Sequence, residues 1–189
     1  MRRSIAITLS GVTIAVAACS GKTGTANQSA TSSPPMFSTT PTSTAPVDPV
    51  AHVGATLNLT GDRGPLAVTL TKIINPATGT SGPPTDDKGN PRGTYVAAML
   101  TVHNTSTSAR KDDANNDAVL VGSDNQDYST ALGSVTECTN FDEGEYELRA
   151  GESVNGCVVF VMPPGVKPAK FKYTPSSGFA NSFGEWLIP

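Results

Sequence analysis

Charge and aromatic side chains are scarce. Only 15% of the 189 residues are charged and 6% are aromatic. Coiled coils and all-helical bundles draw on Ala, Glu, Lys and Leu, so this composition argues against both. The formal net charge of −3 provides no positive field, which excludes nucleic acid as a general partner. His52 and His103 are the only histidines, so a catalytic thiol would have few bases to choose from. No uncharged apolar stretch reaches the ~20 residues a transmembrane helix needs. The chain also lacks a Gly-Xaa-Ser-Xaa-Gly elbow, a His-Glu-Xaa-Xaa-His pair and a phosphate-binding glycine loop. No segment keeps a 3.6-residue apolar period over eleven residues.

Gly and Pro are plentiful, at 18 and 15 residues, and so are Ser and Thr. Their distribution divides the chain into an expected signal (1–18), an anchor and tether (19–50) and a folded part (51–189). Arg2 and Arg3 form a basic start, Ile5 to Val16 is uncharged, and small residues lead up to Cys19. That is the order of a secretory signal peptide. Val16-Ala17-Ala18-Cys19 resembles the lipobox of bacterial lipoproteins. The resemblance implies that Cys19 is lipidated and that the chain is cut before it. The expected location is then the extracytoplasmic face of the cell membrane, with the acyl chains as the membrane contact. Two or more chains hold stably, since each buried CH₂ contributes ~0.8 kcal/mol. Cleavage would leave 11 basic against 16 acidic residues, so surface charge would not add to binding of anionic lipid.

From Ser20 to Val50, 18 of 31 residues are Ser, Thr or Pro, and the few apolar ones show no period. Such a stretch buries too little to offset its ordering entropy and reads as a disordered tether. Thr40-Pro41 and Ala45-Pro46 suit either a glycosylated stalk or an unmodified spacer.

Beyond it the pattern becomes β. Thr56 to Thr60 is a short β-rich run. Leu66, Val68 and Leu70 alternate on one face, and Tyr95 to His103 is nearly unbroken apolar sequence. Ala118 to Val121, Tyr128 to Leu132, Tyr146 to Leu148, Val154 to Met162, Ala169 to Thr174 and Trp186 to Ile188 read as further strands. Phe171 and Tyr173 are expected to face inward. Asn75 to Gly93 reads as a long loop and Asn104 to Asn116 as a polar connection. Seven or eight short strands and no helix predict an all-β sandwich.

Cys138 and Cys157 are expected to form a disulfide, the default in an oxidising compartment. Asp113, Asn115, Asp117 and Asp124 match positions 1, 3, 5 and 12 of a calcium loop. Ala118 stands where that loop needs Gly, position 12 is normally Glu, and 118–121 read as a strand. The segment therefore also reads as a solvated acidic loop, and no metal is expected. Asp86 to Asn90 reads as a turn. His103 is read as a hydrogen-bonded structural histidine and Trp186 as a packing residue. No catalytic residue and no cofactor can be nominated.

Residues 95–175 carry a wider likeness. Tyr95 to Ser106, Val119 to Tyr128, Leu148 to Ser153 and Gly156 to Pro163 occur in the order found in a group of small secreted or lipid-anchored bacterial proteins. This sequence resembles that group, which is common in actinobacteria and has an immunoglobulin-like, telokin-like domain. The mycobacterial immunoprotective extracellular protein shares its broad fold. The group's pattern often has Gly where Asn125 or Gln126 stands here. The resemblance implies a fold and a location, but no reaction. The expected role is a non-catalytic binding module whose partner is a protein or envelope component. A carrier of a small apolar ligand, or an enzyme, is the alternative. A large apolar cavity would favour the carrier, and titratable residues clustered in a cleft would favour the enzyme.

Overall fold

A computed structural model describes residues 50–189. The chain forms β1 (Val50–His52), β2 (Thr56–Gly61), β3 (Gly64–Ala77), β4 (Thr94–His103) and β5 (Arg110–Asp113). A one-turn helix, α1 (Ala114–Asp117), follows. Then come β6 (Ala118–Gly122), β7 (Asp127–Ser129), β8 (Glu145–Leu148), β9 (Ser153–Met162), β10 (Pro168–Tyr173) and β11 (Gly184–Leu187). One sheet has the order β1-β11-β10-β6-β7 and the other β2-β3-β4-β9, with β5-β8 as a separate ribbon. The β1–β11 pair is parallel and the other pairs are antiparallel. The result is an all-β, immunoglobulin-like sandwich.

The main core lies between the sheets. Leu66, Val68 and Leu70 of β3, Val96, Ala98, Leu100 and Val102 of β4, and Val158, Phe160 and Met162 of β9 face Leu120, Phe171, Tyr173 and Trp186. Phe171 packs on Trp186 at 5.7 Å between ring centroids and edge-on to Phe160 at 6.4 Å. The Trp186 indole N–H donates to the Ala55 carbonyl at 2.9 Å, so its one polar atom is satisfied within the core. The unbroken apolar run of β4 has a simple cause: both of its faces are covered. Tyr95 and Ala97 point away from the main core into a second, smaller one with Val135, Cys157 and Val159. The segment between β7 and β8 covers that outer face. It is tied to β9 by Ala131 N donating to Val159 O and Cys157 N donating to Thr139 O, at 2.7 and 3.0 Å. The Cys138–Cys157 disulfide fixes it, with a Cα–Cα distance of 6.3 Å.

Several expectations from the sequence need correction. The stretch 104–116 is more than a connection, because it contains β5 and the start of α1. Hydrophobic patterning misses β5 because its residues are Arg110, Lys111, Asp112 and Asp113, none of them apolar, and its pairing with β8 is non-local. Asp113 starts the helix as its N-cap, accepting from Asn115 N at 2.8 Å and Asn116 N at 3.3 Å. The expectation of no helix therefore fails by one turn. β3 continues through Ala77 into the expected loop, while β7 is shorter than the expected 128–132 strand. Asn125 has φ +60 in the β6–β7 turn, a left-handed position that Asn tolerates and Gly would fill freely.

Candidate functional site

The four calcium-loop residues are not gathered around one point. Asp113 caps α1 and takes Asn115 as a local partner. Asp117, at the other end of that turn, accepts from Ser177 N. Asp124 sits in the β6–β7 turn, accepting from the Tyr128 hydroxyl at 2.7 Å and Gln126 N at 3.2 Å. A helix followed directly by a buried strand separates residues that a calcium loop would wrap around an ion. Among the described residues, no group of three or more His, Cys, Asp or Glu is arranged to hold a metal. Asp86 holds a turn, accepting from Lys88 N and Asn90 N, both at 2.9 Å. His103 Nδ1 pairs with Ser153 Oγ at 2.8 Å across β4 and β9. Cys19 lies outside the described residues.

Sequence reading missed a polar cleft at one end of the sandwich. It has a volume of about 690 Å³. Asp62 and Arg63 of the β2–β3 turn form one wall, and Lys111, Asp112 and Asp113 of β5 another. Asn116 of α1, Glu145 of β8, and Ser176 and Ser177 after β10 complete it. Arg110, the first residue of β5, is buried. Its guanidinium pairs with Asp112 at 3.0 Å and donates to the Gly64 carbonyl, while its Nε has no hydrogen-bond partner. Lys111 and Glu145 form an exposed pair at 2.6 Å.

The serine turn is the unusual element. Ser176 and Ser177 have φ of +63 and +55, two successive left-handed residues without the freedom of glycine. Asp112 accepts from Ser176 N at 3.2 Å and Asp117 from Ser177 N at 2.7 Å. Asp117 also binds the turn through its backbone carbonyl, which accepts from Thr174 N at 2.8 Å. Ser176 Oγ in turn accepts from Asp62 N at 2.8 Å, closing the turn onto β2–β3. That approach requires Gly61, where a Cβ would meet Ser176 Oγ at 2.8 Å and Pro175 Cβ at 2.9 Å. Beyond the turn, Phe179 stands 84% exposed.

Beneath the cleft lies a buried polar layer. Asp117 is 2% exposed, and its Oδ2 has no hydrogen-bond partner. Burial raises its pKa to about 7, and the Asp112 charge adds to the rise. The Tyr173 hydroxyl faces the same carboxyl and opposes the shift, without meeting hydrogen-bond geometry to Oδ2. Tyr146 and Tyr173 share a hydrogen bond at 3.1 Å, and burial holds both phenols well above their ordinary range. Sequence patterning does not single out Arg110, Asp112, Ser176 or Ser177. The available signal was Pro175-Ser176-Ser177-Gly178 as a turn and an arginine standing ahead of two aspartates.

The fold and the cleft define a small all-β sandwich domain, and sequence comparison gives it a family. The chain belongs to the family described as Domain of unknown function (DUF4352), which it matches over residues 56–182. No curated protein matches it. Among solved structures it is similar to MPT63, a secreted protein from Mycobacterium tuberculosis, with 17% identity and a TM-score of 0.52. That likeness covers 76% of this chain and 99% of MPT63. It is also similar to the yjhA protein from Bacillus subtilis, with 14% identity and a TM-score of 0.50, over 74% of this chain and 99% of that one. At these identities the likeness is one of fold.

Proposed function

We propose that this protein is a lipid-anchored, extracytoplasmic binding module that holds a polar partner in the cleft formed by the β2–β3 turn, β5, β8 and the serine turn. One observation carries the reading: two consecutive serines are kept left-handed at the cleft wall by two buried or nearly buried carboxylates. Each such residue costs of order 1–3 kcal/mol, and strain of this kind clusters where a ligand is held. The cleft walls carry both signs of charge, amides and hydroxyls, which suit hydrogen bonds and ion pairs to a polar ligand. The signal-like start, Cys19 and the Ser/Thr/Pro stretch support an anchor and a spacer, and the disulfide suits an oxidising compartment. MPT63, similar in fold, is described as secreted.

Titratable groups clustered in a cleft are also what a catalytic site would present. Asp117, whose pKa burial raises to about 7, does not line the cleft but lies behind the turn, which favours binding.

Envelope extract passed over immobilised full-length chain tests the reading. Arg63→Glu combined with Lys111→Glu alters only exposed side chains, and should lose a component that the wild type retains. Retention of the same components by both proteins would refute the cleft as the site. Cys19→Ala should move the chain from the membrane to the soluble fraction, and unchanged membrane association would refute the anchor.

A further inference from the structure

β2 and β10 both run from the opposite end of the sandwich toward the polar cleft, and at that opposite end lies a groove of different character. It has a volume of about 370 Å³, at the lower end of the range for small-molecule sites. Val53, Ile73 and Ile188 form its floor, Pro168 one side, and Lys72 and Lys167 its rim. The three floor residues are half-buried and pack on the main core, so the apolar lining of the groove is continuous with it.

The backbone is shaped to make this arrangement. β3 has a register shift between Leu70 and Lys72, so Thr71 is an extra residue. Regular pairing would set Lys72 opposite Ala98 and drive an ammonium group into the core. With the bulge, Ile73 opposes Ala98 and faces inward, while Lys72 opposes Met99 and is kept out of the core. β10 carries a second shift between Pro168 and Lys170, with Ala169 as the extra residue. The Ala169 carbonyl accepts from Ile188 N at 2.9 Å, which fixes the floor residue. Each sheet thus has a bulge at this groove, and bulges commonly re-aim side chains at sites.

Lys72 and Lys167 are exposed, and among the described residues neither belongs to an ion pair. No Asp or Glu side chain lines the groove, and Pro189, which does, has an α-carboxylate that forms no ion pair with either lysine. An apolar floor beside two ammonium groups that form no ion pair complements one chemical class. We infer that the groove binds a single-chain anionic amphiphile, its tail against Val53, Ile73 and Ile188 and its head group against Lys72 and Lys167. The lysines act as point charges, so a carboxylate or a phosphate head satisfies them equally in kind. This site is separate from the polar cleft, and neither depends on the other.

The full-length chain is titrated with dodecanoate, dodecyl phosphate, dodecanol and dodecyltrimethylammonium, each below its critical micelle concentration, and followed by amide chemical shifts. Dodecanoate or dodecyl phosphate should bind saturably, with shifts centred on Val53, Ile73 and Ile188. The tighter of the two identifies the preferred head group. Lys72→Glu with Lys167→Glu changes only exposed side chains. It should weaken anion binding at least tenfold while leaving dodecanol unchanged. The inference is overturned if no saturable shift appears at the groove, or if dodecyltrimethylammonium binds as well as the anions. It is also overturned if the double reversal leaves anion affinity unaltered, or weakens dodecanol to the same degree.

Discussion

The sandwich holds two irregular segments against its sheets, and it holds them by opposite means. The segment between β7 and β8 lies over the outer face of β4 and β9. Its inward residue Val135 joins Tyr95, Ala97 and Val159 in an apolar cluster, and a covalent bond between Cys138 and Cys157 fixes it. The turn after β10 is held by buried charge, with Asp112 and Asp117 each taking one backbone N–H of a left-handed serine. The first device is indifferent to protons and sensitive to reductant, whereas the second is the reverse. A cover can be stapled because nothing needs to reach under it. A cleft wall must present polar atoms, and polar atoms near a core are expensive unless each has a partner.

The sharpest way to break the polar side is to remove Asp112. Its carboxylate is the anionic partner of Arg110, whose side chain is fully buried. Removing one member of a buried pair leaves an uncompensated charge and costs about 3–5 kcal/mol. Asp112→Ala should lower the urea midpoint by that equivalent, and a loss under 1 kcal/mol would show that water already reaches the guanidinium. The stapled side is expected to lose slightly less. Cys138→Ser with Cys157→Ser frees a 19-residue loop, for which the chain-entropy account gives ~3 kcal/mol. Hydrogen exchange separates the two regions further. The double serine variant should speed exchange at residues 131–141 and leave Ser176 and Ser177 protected. Equal acceleration at both would mean that the regions open together.

Protons should distinguish the regions without any loss of a contact. Asp117 has an ordinary value of 3.8 and titrates at about 7 in the fold, chiefly because it is buried. Between those values the folded state binds more protons than the unfolded one. Its contribution is therefore complete below about pH 4 and is lost as the pH rises through about 7. Asp86, Asp124 and Glu137 have lowered values from hydrogen bonding and act in the opposite direction, so the total profile mixes signs. Asp117→Asn isolates the one group. The variant keeps an acceptor for Ser177 N and should lose less stability than the wild type between pH 4.5 and 7.5. Parallel urea midpoints for the two proteins across that range would remove Asp117 as the source.

The two regions were unequally legible in the sequence. The staple could be read, because Cys138 and Cys157 are the cysteines left beyond Cys19 and an expected oxidising compartment makes a disulfide the default, although the cover it fixes could not. The alternation of Leu66, Val68 and Leu70, and the inward Phe171 and Tyr173, followed from burial on a pleated surface, and all five are buried. The polar side could not be read. Arg110, Lys111, Asp112 and Asp113 contain no apolar residue to mark a strand, and their pairing with β8 is set by tertiary contact. The acidic loop drew attention for calcium because Asp113, Asn115 and Asp117 have the right spacing. In the fold that spacing serves a helix cap and a clamp on a turn 60 residues away. The bulge at Thr71 was equally hidden, since it is defined by the partner strand and not by its own residue.

The smallest expected effect bears most directly on why the serine turn exists. Ser177 is exposed and has φ +55, and its backbone N–H makes the bond to Asp117. Glycine adopts that conformation without the steric cost of a Cβ, which is roughly 1–2 kcal/mol. It also raises the entropy of the unfolded chain, which returns roughly half of the gain. Ser177→Gly should therefore stabilise the protein by up to about 1 kcal/mol, read as a small rise in the urea midpoint. Ser176→Gly is a poorer test, because its hydroxyl also accepts from Asp62 N. If Ser177→Gly stabilises the fold yet weakens retention of the partner captured by the wild type, the serine is kept for its hydroxyl in the cleft wall. If it stabilises the fold and leaves capture unchanged, the strained turn serves only to shape the cleft, and recognition rests on Arg63 and Lys111.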